Sequence, residues 1–550
     1  MALASAAPFA SAAVPPPSAG SQIQQIPAAP SPDRPPPNLE IKQHDAPGTR
    51  PGDAEAVTVN ALHVTNAKAF PESVLVAATE FKPGTPYTLA GLKELAARIA
   101  NYYHSHGYFL AQAVIPAQDV ADGTVKIAVI EGHYGKVVLQ NHSTLSDGVA
   151  HDLIHGLDSG DAITIAPLES RLLQLSDLPG VSVKSTLVPG ASVGASDLIV
   201  DVSPGQRVTG SIDADNAGNR YTGAERLGGT VNLNDPFGRG DVATLRVLSS
   251  FDGLDYGRFS YQMQFGRADA GVAYTAMDYD LGKEFKGLEA HGTAMIASVF
   301  GRYPLLRSRA GNLYLQADFD SKKFQDDVDA VAPPARTDKK VNVGMLSLVG
   351  DYRDTLGGGG ASTYSFTWSS GNLDIQSAPA VLTDATTART DGHYDKLAIN
   401  FTRLQSVTGP FALYAGLQGQ WASKNLDISE KLGLGGSEGV RAYPEGEAYV
   451  DEGYVLNLEG RLALQRLSAA TRGQLQLVGF VDTGTGQTNR NAWDVGPNER
   501  TLTGGGGGLN YIAGSRLALK AYYAHKIGAA VATSAPDRDG RFWVSVATYF

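Results

Sequence analysis

Gly435-Gly436-Ser437-Glu438-Gly439 fits the Gly-x-Ser-x-Gly pattern that places a nucleophilic serine on a strand-to-helix turn. Such a serine needs a helix directly behind it. Here Val440-Arg441-Ala442-Tyr443-Pro444 follows, and the proline stops a helix almost at once. The glycine runs at 357–360 and 504–508 lack the Gly-Lys-Ser/Thr ending of a phosphate loop. They read instead as a turn and as a thin stretch of wall against which an inserted loop can pack. His104 and His106 stand at a helix end, too close in sequence to share one helical face, so they predict surface histidines rather than a metal site. The absence of cysteine removes thiolate nucleophiles, thiolate ligands and disulfides. The expectation is a chain that is not an enzyme, with no cofactor and no metal.

The residue left with chemistry to do is Arg441. Glycines at 435, 436, 439 and 446 let the backbone around it turn tightly or lie against a wall, and Pro444 stiffens the exit. This reads as a loop tip that packs inside something. In Gly479-Phe480-Val481-Asp482-Thr483-Gly484 an acid interrupts a strand pattern, and Asp482 is the expected partner of the arginine. Both segments resemble motifs of the BamA-like superfamily of outer-membrane barrels. In that superfamily a Val-Arg-Gly-Tyr/Phe tip of the sixth extracellular loop folds into the barrel and meets the acid of a Phe-x-Asp-x-Gly strand. The resemblance assigns Val440, Arg441, Ala442 and Tyr443 to the tip, and Phe480, Asp482 and Gly484 to the wall. Ala442 stands where much of the superfamily has glycine, which predicts a tighter or differently angled turn.

The elements that must hold these motifs are strands. From about residue 207 to 550 the chain runs in segments of roughly ten residues with period two, the pattern of a transmembrane barrel. Arg258-Phe259-Ser260-Tyr261-Gln262-Met263-Gln264-Phe265 is one, and Leu456 to Leu462 and Arg516 to Tyr523 are others. Glu459 and Arg461 fall at successive inward positions, and charges there need a polar lumen. About sixteen segments can be counted, with short turns at one end and longer loops at the other. On that count the Arg441 loop, residues 421–451, joins strands eleven and twelve, and Asp482 points inward from strand thirteen. The chain closes on Phe542-Trp543-Val544-Ser545-Val546-Ala547-Thr548-Tyr549-Phe550, which resembles the C-terminal strand signal of bacterial barrels. No apolar run reaches the ~18 residues of a membrane-spanning helix, so only a closed barrel can cross.

Ahead of the barrel, residues 1–56 read as a signal remnant, Ala-rich from Met1 to Val14, and a proline-rich linker without an amphipathic plug helix. Residues 57–133 show the order strand, helix, helix, strand, strand of a POTRA domain. Its helix after Thr88 carries Leu92, Leu95, Ala96, Ile99 and Tyr103 on one face, and strands are expected over Phe109 to Ile115 and Val125 to Ile130. Residues 134–206 repeat the order, with a second helix starting at Pro167.

The run from Gly107-Tyr108 to Pro116-Ala117-Gln118-Asp119, with Asp122-Gly123 and Glu131-Gly132, is similar to the first POTRA of TpsB transporters, the ShlB/FhaC/HecB family of two-partner secretion. Ala111-Gln112 replaces a Ser-Arg pair common among relatives. The resemblance implies a sixteen-stranded antiparallel barrel in the bacterial outer membrane with two periplasmic POTRA domains. It implies export of a secreted TpsA-type partner of the adhesin or haemolysin class, and contact with outer-membrane lipid and, during biogenesis, the barrel assembly machinery. An exposed POTRA sheet edge can bind an extended chain by strand addition. Tyr103, Phe109, Leu110, Ala113 and Ile115 are the candidate substrate-binding residues. The acidic balance, net charge -11, argues against a nucleic-acid partner. Two alternatives stand beside export: a BamA- or TamA-like assembly factor and a diffusion porin.

Overall fold

The computed structural model describes residues 16–31, 38–41, 56–120, 122–464 and 473–550. The signal remnant read over Met1 to Val14 and parts of the linker lie outside the described residues.

In the first POTRA domain Thr88 caps the helix Leu89–Ser105, its hydroxyl accepting from the Gly91 N–H at 3.2 Å. The five residues expected on its apolar face are buried. They pack on a three-stranded sheet ordered Ala61–Thr65, Thr124–Ile130, Gln112–Val114, whose central strand turns Val125, Ile127 and Val129 inward. A ribbon not anticipated from sequence pairs Val57–Val59 with Thr85–Tyr87. The strand expected over Phe109 to Ile115 shrinks to Gln112–Val114. The reason is local: the Tyr108 N–H bonds the Tyr103 carbonyl and the Ala111 N–H bonds the Tyr108 carbonyl, so the chain turns before it can enter the sheet.

The second POTRA domain sets helices Asp147–Ile154 and Ile165–Ser176 against strands His133–Asn141, Ala195–Pro204 and Val181–Pro189. The second helix begins two residues before Pro167, which is tolerated there because first-turn N–H groups have no intrahelical partner. The outer edge of Val181–Pro189 is covered by Asn38–Ile41, paired in parallel from Asn38↔Lys184 to Ile41↔Leu187. That segment lies in the stretch read only as linker. Arg307 grips Asp177 with two bonds of 2.7 and 2.8 Å, and the Thr144 hydroxyl donates to Asp235 at 2.7 Å, which docks the domain on the periplasmic turns of the barrel.

The barrel closes with sixteen antiparallel strands, from Val208–Asp215 to Gly540–Tyr549. The seam between first and last strands holds five register pairs, Ser211↔Tyr549 to Asp215↔Ser545. Asp213, Thr230 and Arg246 face inward and are buried, while Ile212, Val247, Phe259 and Val481 are about half exposed on the outer face. The loop Ser423 to Asp451 joins strands eleven, Phe411–Ala422, and twelve, Glu452–Ala463.

Two expectations about the lumen change. A helix, Ala19–Gln24, lies inside the barrel with Ala19, Gly20, Ser21 and Gln22 buried, although no plug helix was read from the sequence. The wall is also not polar throughout: Leu248, Met277, Val341, Val343 and Leu373 turn inward and form one cluster with Ala19, against which Ile23 and Ile26 pack. Inward apolar residues are stable there because protein, rather than water, fills the space beside them.

Candidate functional site

The tip of the sixth loop sits where its glycines allow. A Cβ at Gly439 would stand 2.5 Å from the Leu434 carbonyl oxygen, and one at Gly484 in the wall would stand 3.2 Å from Val440 Cγ2. The loop therefore folds closely on itself and presses Val440 against the barrel.

Arg441 is the centre. Its Nε donates to Asp482 Oδ2 at 2.9 Å, Nη2 to Asp482 Oδ1 at 2.7 Å, and its backbone N–H to Oδ2 at 3.2 Å. Nη1 donates to Glu459 Oε1 at 2.8 Å, and the other oxygen of Glu459 accepts from Arg461. Two guanidiniums thus meet two carboxylates. The Arg441 side chain is 5% exposed and that of Asp482 0%. Its guanidinium carbon lies 3.6 Å from the Phe480 ring centroid, so motif residue Phe480 supplies a π face to the cation. Trp543 Nε1, on the last strand, donates to the Arg441 carbonyl at 2.7 Å. Asn457 bridges the Gly439 carbonyl and Asp482. The Tyr443 hydroxyl donates to the Ala530 carbonyl in the eighth loop at 3.1 Å.

The structure brings Val440, Arg441, Ala442, Tyr443, Phe480, Asp482 and Gly484 into one cluster, and Ala442 does so without the left-handed backbone that would favour glycine. Sequence reasoning missed Glu447. This fully buried carboxylate accepts from Arg500 and from the backbone and hydroxyls of Thr533 and Ser534, tying the sixth loop to the eighth. Four of its five donors sit in a loop whose position no sequence pattern fixes. Glu459 was legible as an inward-phased position, though not as a member of the latch, and Trp543 was read only as part of the C-terminal strand signal.

The candidate substrate residues separate. Tyr103 is fully buried and its hydroxyl donates to Glu131 at 2.6 Å, so it cannot touch a partner directly. Phe109 and Leu110 pack against the core of the second POTRA domain. Ala113 lies on the edge strand, with Ile115 just beyond it, and among the described residues the edge itself pairs on one side only.

Glu131 also accepts from the N–H groups of Lys68 and Ala69. Burial alone would push its carboxyl up, but the Ala69 N–H, the Tyr103 hydroxyl and the Lys68 N–H outweigh burial and hold it below the usual range. Its stabilising contribution is therefore complete above the ordinary glutamate value of about 4.3 and disappears as pH falls through the lowered one. Glu131→Ala should cost the first POTRA domain about 1–3 kcal/mol. The measurement is protease resistance of residues 57–132 in the full chain, and equal resistance at neutral pH would contradict it.

Comparison with known proteins agrees with this arrangement. The profile described as POTRA domain, ShlB-type matches residues 57–132, and that of Haemolysin secretion/activation protein ShlB/FhaC/HecB matches residues 194–511. The heme/hemopexin transporter protein HuxB of Haemophilus influenzae (strain 86-028NP) is 28% identical over 481 residues, covering 85% of this chain and 82% of its own. The outer membrane transporter CdiB of Dickeya dadantii is 21% identical over 378 residues, 65% of this chain and 63% of its own. Among solved structures, CdiB from Escherichia coli superposes with a TM-score of 0.71 at 19% identity, over 92% of this chain and 93% of its own. BamA from Haemophilus ducreyi, lacking its first three POTRA domains, gives 0.51 at 13%, over 90% and 99%.

Proposed function

The chain belongs to the ShlB/FhaC/HecB family, the TpsB outer-membrane transporters of two-partner secretion, and from that premise we propose that it recognises one secreted TpsA-type protein in the periplasm through its POTRA domains and exports it through the barrel. The observation that carries this reading is what fills the lumen. The helix and the loop tip are joined to the wall through side chains, and main-chain bonds to the strands are made at the loop's ends, Ser423 and Asp451, so tip and helix can leave while the ladder of strands persists. A pore for small solutes has no need of such a stopper or of a docked pair of periplasmic domains.

Recognition starts at a free sheet edge. Gln112–Val114 offers one, whereas the edge of Val181–Pro189 is already occupied by Asn38–Ile41 of the chain's own N-terminal segment. An incoming extended segment adds to the first edge through main-chain hydrogen bonds, with little demand on its sequence. Folding of the emerging β-rich partner outside makes the passage one-way, without nucleotide.

The test is comparative proteomics of culture medium and outer membrane with and without the gene. Loss of one large protein from the medium, with other barrels unchanged, is expected. Broad loss of other barrels from the membrane would make the chain an assembly factor instead.

A further inference from the structure

We propose that the short turn Ile428–Glu430 is a second anchor of the sixth loop and the seat of the lumenal helix, with Lys322, Lys339 and Lys396 as the residues that position both. These lysines sit on strands seven, eight and ten, Gly311–Val328, Ala335–Asp354 and Gly392–Thr408, away from the Arg441 cluster on strands twelve, thirteen and sixteen.

Glu430 accepts from Lys322 and Lys396, each at 2.7 Å, and Asp427 accepts from Lys339 at 2.7 Å. Both carboxylates are nearly sealed from solvent, at 3% and 6% exposure. Asp427 Oδ1 also takes the Ser429 N–H and hydroxyl at 3.0 and 2.7 Å, so the same acid that binds the wall shapes the turn. The Glu430 carbonyl accepts from Lys396 and from Gln420, each at 3.1 Å. Three inward ammoniums thus find their ion-pair partners in this turn.

The helix rests on that turn. Gln24 Nε2 donates to the Ile428 carbonyl at 2.7 Å, and a Cβ at Gly20 would lie 3.0 Å from Ser429 Cβ, the close approach that glycine permits. The Ala19 N–H donates to Asp326 at 2.7 Å, and the Tyr449 hydroxyl, from the far end of the loop, reaches the Ser21 carbonyl at 3.2 Å. A helix of six residues does not hold its shape alone in water. Its existence depends on this floor, so loosening the lysine pairs should free the helix while Arg441 stays latched.

The seat is tested in planar bilayers by comparing the parent with Lys322→Gln/Lys396→Gln. The ratio of open to closed occupancy should rise about a hundredfold or more, the scale of shift expected when buried ion pairs lose one partner. Heat-modifiable mobility on gels reports that the variant barrel folds. In this cysteine-free chain, a Val440→Cys/Gly484→Cys pair should cross-link as fully in the variant as in the parent background, showing the tip still in place. The reversed set Lys322→Glu/Lys396→Glu/Glu430→Lys should bring occupancy back towards that of the parent. A folded variant with unchanged occupancy overturns the proposal, and so does loss of the tip cross-link together with the seat, because the loop would then have one anchor. The proposal rests on the reading of loop and helix as a stopper. Conductance is measured without any exported protein, so its failure and a failure of export are told apart.

Discussion

Arg441→Ala should abolish export of the partner protein while leaving a barrel that folds and inserts. The substitution removes two of the four donors to the Asp482 carboxylate, the guanidinium bonds, and the backbone N–H loses the side chain that held it in register. Asp482 remains at 0% exposure with Asn457 as its side-chain donor. Breaking a buried pair in this way costs about 3–5 kcal/mol, two to three orders of magnitude in the loop's preference for its lumenal position. The cost falls on the loop, because no strand pairing runs through Arg441. Asp482→Asn should follow closely, and Glu459→Gln should do less, since Glu459 takes a single bond from Arg441. Arg441→Lys should fail to restore export. One ammonium cannot bond both oxygens of Asp482, reach Glu459 and stack on Phe480 at once. The measurements are the amount of partner in the medium, heat-modifiable mobility for the barrel, and protease access to the loop. Normal secretion by Arg441→Ala would sink the latch.

Much of this was legible in the sequence because a barrel strand has only two phases. Once the period placed Glu459 and Arg461 inward, the even phase of Gln474 to Asp482 put the acid in the lumen, and sixteen segments placed the loop between strands eleven and twelve. The glycine run 504–508 also read correctly as a wall made thin for something to pack on it: a Cβ at Gly506 would lie 2.7 Å from the Phe480 ring. The lumenal helix was hidden for a physical reason. Six residues give too few positions for a helical period, and their partners are spread over strands far away in sequence. A signal for it existed on those strands, in the inward phase of Leu248, Met277, Val341, Val343 and Leu373, which no water-filled channel would need. Phe109 and Leu110 misled because an apolar run beside a helix end fits an edge strand and a domain contact equally well, and only the turn at Tyr108 to Ala111 decides between them.

Gly504→Ala should expel the loop tip, and Ala442→Gly in the same chain should bring it back. Gly504 lies opposite Asp482 in the ladder and shares its inward phase. A Cβ there would stand 2.4 Å from Ala442 Cβ, an overlap that two rigid backbones cannot absorb, whereas the Ala442 Cα lies at an ordinary 3.5 Å. Overpacking of this kind costs about 1–3 kcal/mol, and here it competes directly with the Arg441 bonds. Removing the methyl of Ala442 relieves the severe overlap and leaves the new Cβ only the 3.2 Å approach to the His525 carbonyl oxygen, which a shift of a few tenths of an ångström relaxes, so the double variant should export where Gly504→Ala does not. Ala442→Gly alone should lose only a methyl contact, about 1 kcal/mol, since the backbone at 442 is not in the left-handed region. Gly507→Ala, in the outward phase, should leave export unchanged and serves as the control. The absence of a side chain at Gly504 leaves the space that the Ala442 methyl occupies, so a tip with alanine at this position can close. Export by Gly504→Ala at the parent's level, or a double variant no better than the single, would show that the tip does not depend on this contact.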